Sequence, residues 1–147
     1  MQILPIDKIN LEDCAYLYTT VFNQAPWNED WSHQQATSRL KFYYETPNFI
    51  GMSVTDDSNL LGFVLGNYEP YQNEKLYLLK EMCVHPDFQG KGIGTKLIKF
   101  LHEKLKESGI STVNLITTID SEAESFYFKN DYYKSQRMGL YVARLNT

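Results

Sequence analysis

A nearly continuous apolar run covers residues 76–84, where only Lys80 and Glu81 interrupt Leu76, Tyr77, Leu78, Leu79, Met82, Cys83 and Val84. A run of that length and character predicts a strand covered on both faces. His85-Pro86-Asp87 ends it, because proline cannot donate to a ladder and restricts the residue before it. Beyond a glycine-rich loop, Ile93, Leu97, Ile98, Leu101 and Leu105 fall on one helical stripe, with Lys96, Lys99, Glu103, Lys104 and Lys106 mostly away from it. That helix stops near Ser108-Gly109.

The same patterning predicts the remaining elements. Residues 1–6 suit an edge strand, and Asn10 a cap for a helix over 11–22 with Leu11, Cys14, Ala15, Tyr18, Val21 and Phe22 on one face. After a loop through residue 31, Ser32-His-Gln-Gln35 reads as a capping box opening a second helix that ends before Pro47. Residues 49–55 and 60–68 form two strands joined by the polar turn at 56–59, with Gly62 and Gly66 marking bulges. A strand over 113–118 and a short helix from the capping-box candidate Ser121-Glu-Ala-Glu124 to about Asn130 follow, and strands at 132–135 and 138–145 close the chain. The order β-α-α-β-β-β-α-β-α-β-β predicts a mixed α/β fold, with meanders at both ends and parallel pairing around 76–118.

Gln89-Gly90-Lys91-Gly92-Ile93-Gly94 lies between the central strand and its helix. Alternate glycines allow a tight turn and close approach of a ligand to the backbone. The first N–H groups of the helix have no intrahelical partner and carry the positive end of its dipole, so the loop suits an anion such as phosphate or pyrophosphate. Its spacing, Gly-x-Gly-x-Gly, fits neither the Walker pattern nor the dinucleotide fingerprint.

Composition narrows the setting. At 147 residues the chain predicts a single domain with a substantial core, and 43% hydrophobic with 22% charged residues is ordinary for a soluble globular protein. No apolar run reaches membrane-spanning length, and the first eight residues lack a signal-peptide layout. Cys14 and Cys83 both sit in apolar patterns, which argues against a disulfide framework and for a cytoplasmic protein. A net charge of −4 disfavours nucleic acid or an anionic membrane as partner and is compatible with a small cationic one. Lys91, Lys96 and Lys99 concentrate positive charge near the loop.

The spelling Val84-His-Pro-Asp-Phe-Gln89-Gly-Lys-Gly92-Ile-Gly94 resembles the acetyl-CoA loop of the GNAT superfamily of N-acyltransferases, with Gln89, Gly92 and Gly94 filling Gln/Arg-x-x-Gly-x-Gly/Ala. A second mark, with Ala123, Phe126 and Tyr127 in place, resembles that family's Asn-x-x-Ala-x-x-Phe-Tyr-x-x-x-Gly-Phe. There Asp120, Asp131 and Tyr132 depart from the usual asparagine, glycine and phenylalanine; Asp tolerates left-handed backbone, whereas a carboxylate at 120 would weaken a contact the amide makes near CoA. The element order also resembles that family throughout, so residues 1–147 are expected to be one acetyltransferase domain around a mostly antiparallel sheet splayed at its middle strands, with helices on both faces.

The resemblance implies acetyl-CoA as cosubstrate. Main-chain groups of Met82 and Val84 would hold its pantetheine arm like an added strand. Gln89, Gly90, Lys91, Gly92, Ile93 and Gly94 would surround its pyrophosphate. Tyr127 would be the general acid for the leaving thiolate, the alternative being an aromatic packing residue in a chain with eleven tyrosines. Glu81, a carboxylate inside an apolar strand, is costly unless paired or lining a cavity, and is either the base that deprotonates the amine or a substrate-orienting or structural carboxylate. The loop with Trp27, Glu29, Asp30 and Trp31, joined by Tyr68 and Glu69, suits a cation, and the alternative is a solvated loop in which Trp27 staples helices together.

The expected reaction is direct acetyl transfer in a ternary complex to a primary amine of a small cationic molecule, whether polyamine, aminoglycoside-like or amino-acid-derived. A peptide or protein N-terminus or lysine is an alternative acceptor, and a non-catalytic acyl-CoA-binding module or a nucleotide-binding loop are rival classes. His33, His85 and His102 do not cluster with cysteines at metal-ligand spacing, so no metal is expected. Cys83 beside the thioester path is read as a buried small hydrophobe rather than an acyl-cysteine. Homodimers recur in the family, but no stretch marks an interface.

Overall fold

Two adjacent residues with positive φ, Asp57 at 47° and Ser58 at 72°, turn β2 (Phe49–Asp56) into β3 (Asn59–Tyr71) in the computed structural model, which describes residues 1–146. Two consecutive left-handed residues match the twist of antiparallel strands, as the polar turn predicts. β1 (Gln2–Pro5) pairs with β2, and β4 (Glu74–Val84) returns along β3, all antiparallel, while β5 (Thr112–Leu115) joins β4 in parallel. The result is one open five-stranded mixed sheet in the order β1-β2-β3-β4-β5. β3 and β4 extend past the predicted 60–68 and 76–84 to Tyr71 and Glu74, because ladder pairing continues beyond the apolar core into exposed residues.

The chain divides into two compact units, Met1–Leu115 and Ile116 onward. In the first, α1 (Leu11–Phe22) and α2 (His33–Glu45) cover one face of the sheet. Cys14, Ala15, Tyr18, Ala36 and Leu40 pack there with Phe63, Leu65 and Cys83. α2 opens on the predicted capping box: Ser32 accepts from the Gln35 N–H, and the Gln35 side chain accepts from the Ser32 N–H. At α1 the Asn10 side chain does not cap the helix; it accepts from the Asp7 N–H, while the Asp7 side chain accepts from the Asn10 N–H. α3 (Ile93–Glu107) buries Ile93, Leu97, Ile98, Leu101 and Leu105, and its Lys104 and the following Ser108 share a shallow cleft with Ile50 and Met52 on the opposite face.

The register contains the feature on which the site depends. Leu65 pairs with Glu81 and Gly66 with Leu79, so Lys80 is an extra residue on β4. Side chains of cross-strand partners share a face and those of neighbours alternate. Tyr77 and Leu79, opposite Tyr68 and Gly66, therefore lie on the α3 face. Glu81 and Cys83, opposite Leu65 and Phe63, lie on the α1–α2 face. A second register shift sits beside Val54 and Thr55, where Leu61 is the extra residue next to the predicted bulge glycine Gly62.

The second unit holds α4 (Glu122–Lys129). The Ser121 side chain accepts from the Glu124 N–H, while Glu124 Oε1 accepts from the Asp120 N–H at 3.1 Å, one residue earlier than the predicted box. Asp131 has φ +70°, the left-handed backbone expected of it. The strands predicted at 132–135 and 138–145 are absent, and the strand predicted over 113–118 ends at Leu115. Alternating apolar residues mark a sequence able to pair, but a strand also needs a hydrogen-bonding partner. No strand lies within this unit among the described residues, and Tyr133, Tyr141 and Leu145 are exposed.

Candidate active site

The bulge carries Glu81 into the apolar interior between the sheet and α2, where its side chain is almost fully buried. An unpaired carboxylate there would be costly, and the partner is Arg39 of α2. Arg39 Nε donates to Glu81 Oε1 at 2.6 Å, and the Tyr18 hydroxyl of α1 donates to the same oxygen at 3.4 Å. Burial pushes the Glu81 carboxyl above its ordinary value; the hydrogen bond and charge of Arg39 pull it down without cancelling the rise. Tyr18 is also raised, first by burial and then by the neighbouring Glu81 charge, so it remains a neutral donor.

Aromatic rings hold the guanidinium in place. Arg39 lies 5.6 Å from the Trp31 ring centre and 5.4 Å from that of Tyr43, one turn further along α2. Trp31 meets Tyr18 edge-on at 5.0 Å, and its indole N–H donates to Glu29 Oε1 at 2.9 Å. Asn23 fixes the loop by exchanging two hydrogen bonds with the Trp31 main chain, at 2.8 and 2.9 Å. Glu81, Trp31 and Glu29 are thus brought together. Trp27 packs on Phe22 at 5.4 Å and touches the cluster through Phe22 and Tyr18, while Asp30 is exposed. Tyr68 stands on the other side of the sheet, where Lys75 Nζ lies 5.4 Å from its ring centre.

Along β4 the residues after Glu81 run into the glycine loop. β5 ends at Leu115, opposite Leu79, so Met82 and Val84 pair with Val64 and Gly62 of β3 and have no β5 residue on their other side. The Gln89 side-chain amide donates to the Val84 carbonyl at 2.9 Å, tying the loop to the strand end. Gly90 and Gly92 have φ of +76° and +81°, and a Cβ at either would meet nothing within 4 Å. Here glycine serves the left-handed backbone and leaves open space beside it. Gly92 caps α3, and the N–H groups of Ile93 and Gly94 open the helix without intrahelical partners. The Lys91 ammonium rests over Phe88 at 5.3 Å. A strand edge leading into an anion cradle at a helix N-terminus fits a ligand with an amide-bearing arm and a diphosphate.

Tyr127 belongs to the second unit, in α4, between the rings of Phe126 at 5.3 Å and Tyr132 at 5.4 Å. Its carbonyl accepts from the Tyr132 N–H at 3.1 Å. Asp120 is exposed, with φ +57°. Burial holds the Cys83 thiol well above its usual pKa and pushes Cys14 up to about 12, so neither is a thiolate nucleophile near neutral pH. Among the described residues no group of His, Cys, Asp and Glu can hold a metal ion, and no helix is long and apolar enough to cross a membrane.

Sequence reasoning found Glu81 but not its partners Arg39 and Tyr18, nor Tyr43 stacked on Arg39. A signal for Arg39 existed. Arginine is favoured for buried ion pairs, and Arg39 is one of only three arginines, with an aromatic residue four positions later.

Comparison with known proteins identifies the family and the fold. The acetyltransferase (GNAT) domain family matches residues 48–134. An acetyltransferase of Sodalis glossinidius is 27% identical over 146 residues, covering 99% of this chain and 96% of that one. Among solved structures, a ribosomal-protein-alanine N-acetyltransferase from Brucella melitensis superposes with a TM-score of 0.75 at 20% identity, over 98% of this chain and 99% of that one. An aminoglycoside N-acetyltransferase in complex with CoA superposes with a TM-score of 0.75 at 15% identity, over 97% and 94%. With the family matched over more than half its length, the chain belongs to the GNAT family of acetyl-CoA-dependent N-acetyltransferases.

Proposed function

We propose that residues 1–147 form one catalytic domain that moves the acetyl group of acetyl-CoA directly onto a primary amine of a small molecule, in a ternary complex. The observation that carries this reading is the side of β4 at Met82 and Val84 that no strand pairs among the described residues, running from the buried carboxylate of Glu81 into the open glycine loop. Main-chain groups of Met82 and Val84 grip the pantetheine arm. A main-chain N–H there polarises the thioester carbonyl. The loop from Gln89 to Gly94 receives the pyrophosphate through its N–H groups, with the Gln89 side chain holding the loop to the strand.

The cosubstrate supplies an activated acetyl group as a thioester. An alkylamine is almost wholly protonated at neutral pH and must lose a proton before it can attack. Glu81, its carboxyl raised by burial, accepts that proton directly or through water. The amine nitrogen bonds to the carbonyl carbon, the carbon–sulfur bond breaks, the thiolate takes a proton from Tyr127, and the second proton of the nitrogen restores the Tyr127 hydroxyl. The products are the N-acetyl amide and CoA. The acceptor belongs to the classes expected from the acidic, aromatic loop: polyamine, aminoglycoside-like or amino-acid-derived. The aminoglycoside acetyltransferase among the structural neighbours supports a small-molecule acceptor.

A library of amines monitored by thiol release from acetyl-CoA tests this. The reading expects CoA release with at least one small primary amine, and release slowed by about 10²–10³ in Glu81→Gln. No release across the library by folded protein would contradict it.

A further inference from the structure

The proposed acetyl transfer leaves part of Arg39 unused. Its guanidinium meets Glu81 through Nε alone, at 2.6 Å. Among the described residues no acceptor takes the N–H groups of Nη1 and Nη2, although the side chain is 40% exposed and its group is fixed beside Trp31 and Tyr43. A guanidinium held in this way presents two parallel donors in a plane, the arrangement that receives a carboxylate in bidentate fashion. On the indole N–H of the same Trp31 sits Glu29, through Oε1, leaving Oε2 as an acceptor for an ammonium.

We infer that the acetyl acceptor carries a carboxylate as well as its amine, the carboxylate docking on the Nη edge of Arg39, so that the substrate class is amino-acid-derived rather than polycationic. This rests on the acetyltransferase reading above and narrows it. A polyamine or aminoglycoside would bring its ammonium groups against the Arg39 cation, whereas a zwitterion offers Arg39 its carboxylate and leaves its amine to the carboxylates of Glu81 and Glu29. Arg39 is then a specificity-determining residue: it holds Glu81 with one edge and selects the acceptor with the other.

The test compares matched acceptors: the common amino acids, their carboxamides and the corresponding decarboxylated amines, with spermidine and kanamycin alongside. Each is assayed by kcat/KM for CoA release and, without acetyl-CoA, by equilibrium quenching of tryptophan emission. The best carboxylate is expected to exceed its own carboxamide by about tenfold or more in kcat/KM and in affinity. Arg39→Lys, which keeps the charge and loses the fork, brings that ratio towards one. Carboxamides, decarboxylated amines or polycations used as well as carboxylates, or an undiminished ratio in Arg39→Lys, would overturn the inference. The wild-type comparison decides even if the variant folds poorly. The two readings also separate: selective binding of carboxylates without turnover keeps the carboxylate site and rejects acetyl transfer, while turnover without carboxylate preference does the reverse.

Discussion

Leu79 and Glu81 stand two positions apart on β4 and face opposite sides of the sheet. In a regular strand they would share a face. The extra residue Lys80 reverses the alternation, placing Tyr77 and Leu79 under α3 and sending Glu81 and Cys83 towards α1 and α2. One inserted residue therefore sets which side of the protein holds the carboxylate.

Deleting Lys80 restores regular alternation and forces either half of β4 onto the wrong face. The expected result is loss of cooperative unfolding, or a drop of roughly 4 kcal/mol or more in urea denaturation, at the upper end for single changes. Lys80→Ala keeps the extra residue, and because Lys80 is exposed its stability should stay within about 0.5 kcal/mol of wild type. A deletion variant as stable as the parent would mean that the register has no such consequence.

Arg39→Met strips Glu81 of its cation. Breaking a buried pair costs about 3–5 kcal/mol, and the partial exposure of Arg39 reduces the expectation to about 2–3 kcal/mol. The pH dependence has a definite sign. Without Arg39 the folded-state pKa of Glu81 stands still further above its ordinary 4.5, so stability present below that pH is lost as pH rises through the raised value. The deficit should shrink in acid, and adding Glu81→Gln should recover much of it. Denaturation of both variants at pH 4 and pH 7 checks this; an equal deficit at both would contradict it.

The same raised carboxyl sets the acid limb of activity. Because burial outweighs Arg39, kcat/KM should fall with decreasing pH at a midpoint above 4.5, with the limb lost in Glu81→Gln and turnover down by about 10²–10³. A pH–rate profile of the wild type and Glu81→Gln checks it. An unchanged limb in the variant would assign the titration elsewhere.

Much of this was legible in the residues themselves. The 3.6-residue stripe of α3, the Ser32–Gln35 box, the Asp57–Ser58 turn and the glycine loop are local devices, each carried by a few neighbouring side chains. What escaped depends on distant partners. The bulge at Lys80 cannot be seen in β4 alone, since alternating burial through Tyr77, Leu79, Glu81 and Cys83 looks like a regular strand. Only the register with β3 exposes the reversal, and there Gly66, expected to mark a bulge, lies at the shift although the extra residue is on β4. Arg39 lies 42 residues from Glu81, so the sequence supplies a carboxylate in need of a partner without naming one. The strands expected at 132–135 and 138–145 failed for a related reason, since pattern does not supply a pairing edge.

Tyr127→Phe tests the proposed acid. Removing the hydroxyl alone should lower kcat by about 10²–10⁴ and leave the CoA dissociation constant within about twofold, because proton transfer acts on the leaving thiolate rather than on binding. Steady-state kinetics with calorimetric binding separates the two. Turnover at the parent rate would remove Tyr127 from the mechanism.

Amide hydrogen exchange with and without CoA tests most directly the proposed seat of CoA, along the side of β4 that β5 leaves open beyond Leu79 and in the glycine loop. Protection is expected at Met82–Val84 and from Gly90 through Gly94. Gly92→Ala, forced to carry a Cβ at φ +81°, should weaken both protection and binding by about tenfold. Protection confined to other segments, or none at millimolar CoA, would contradict the account.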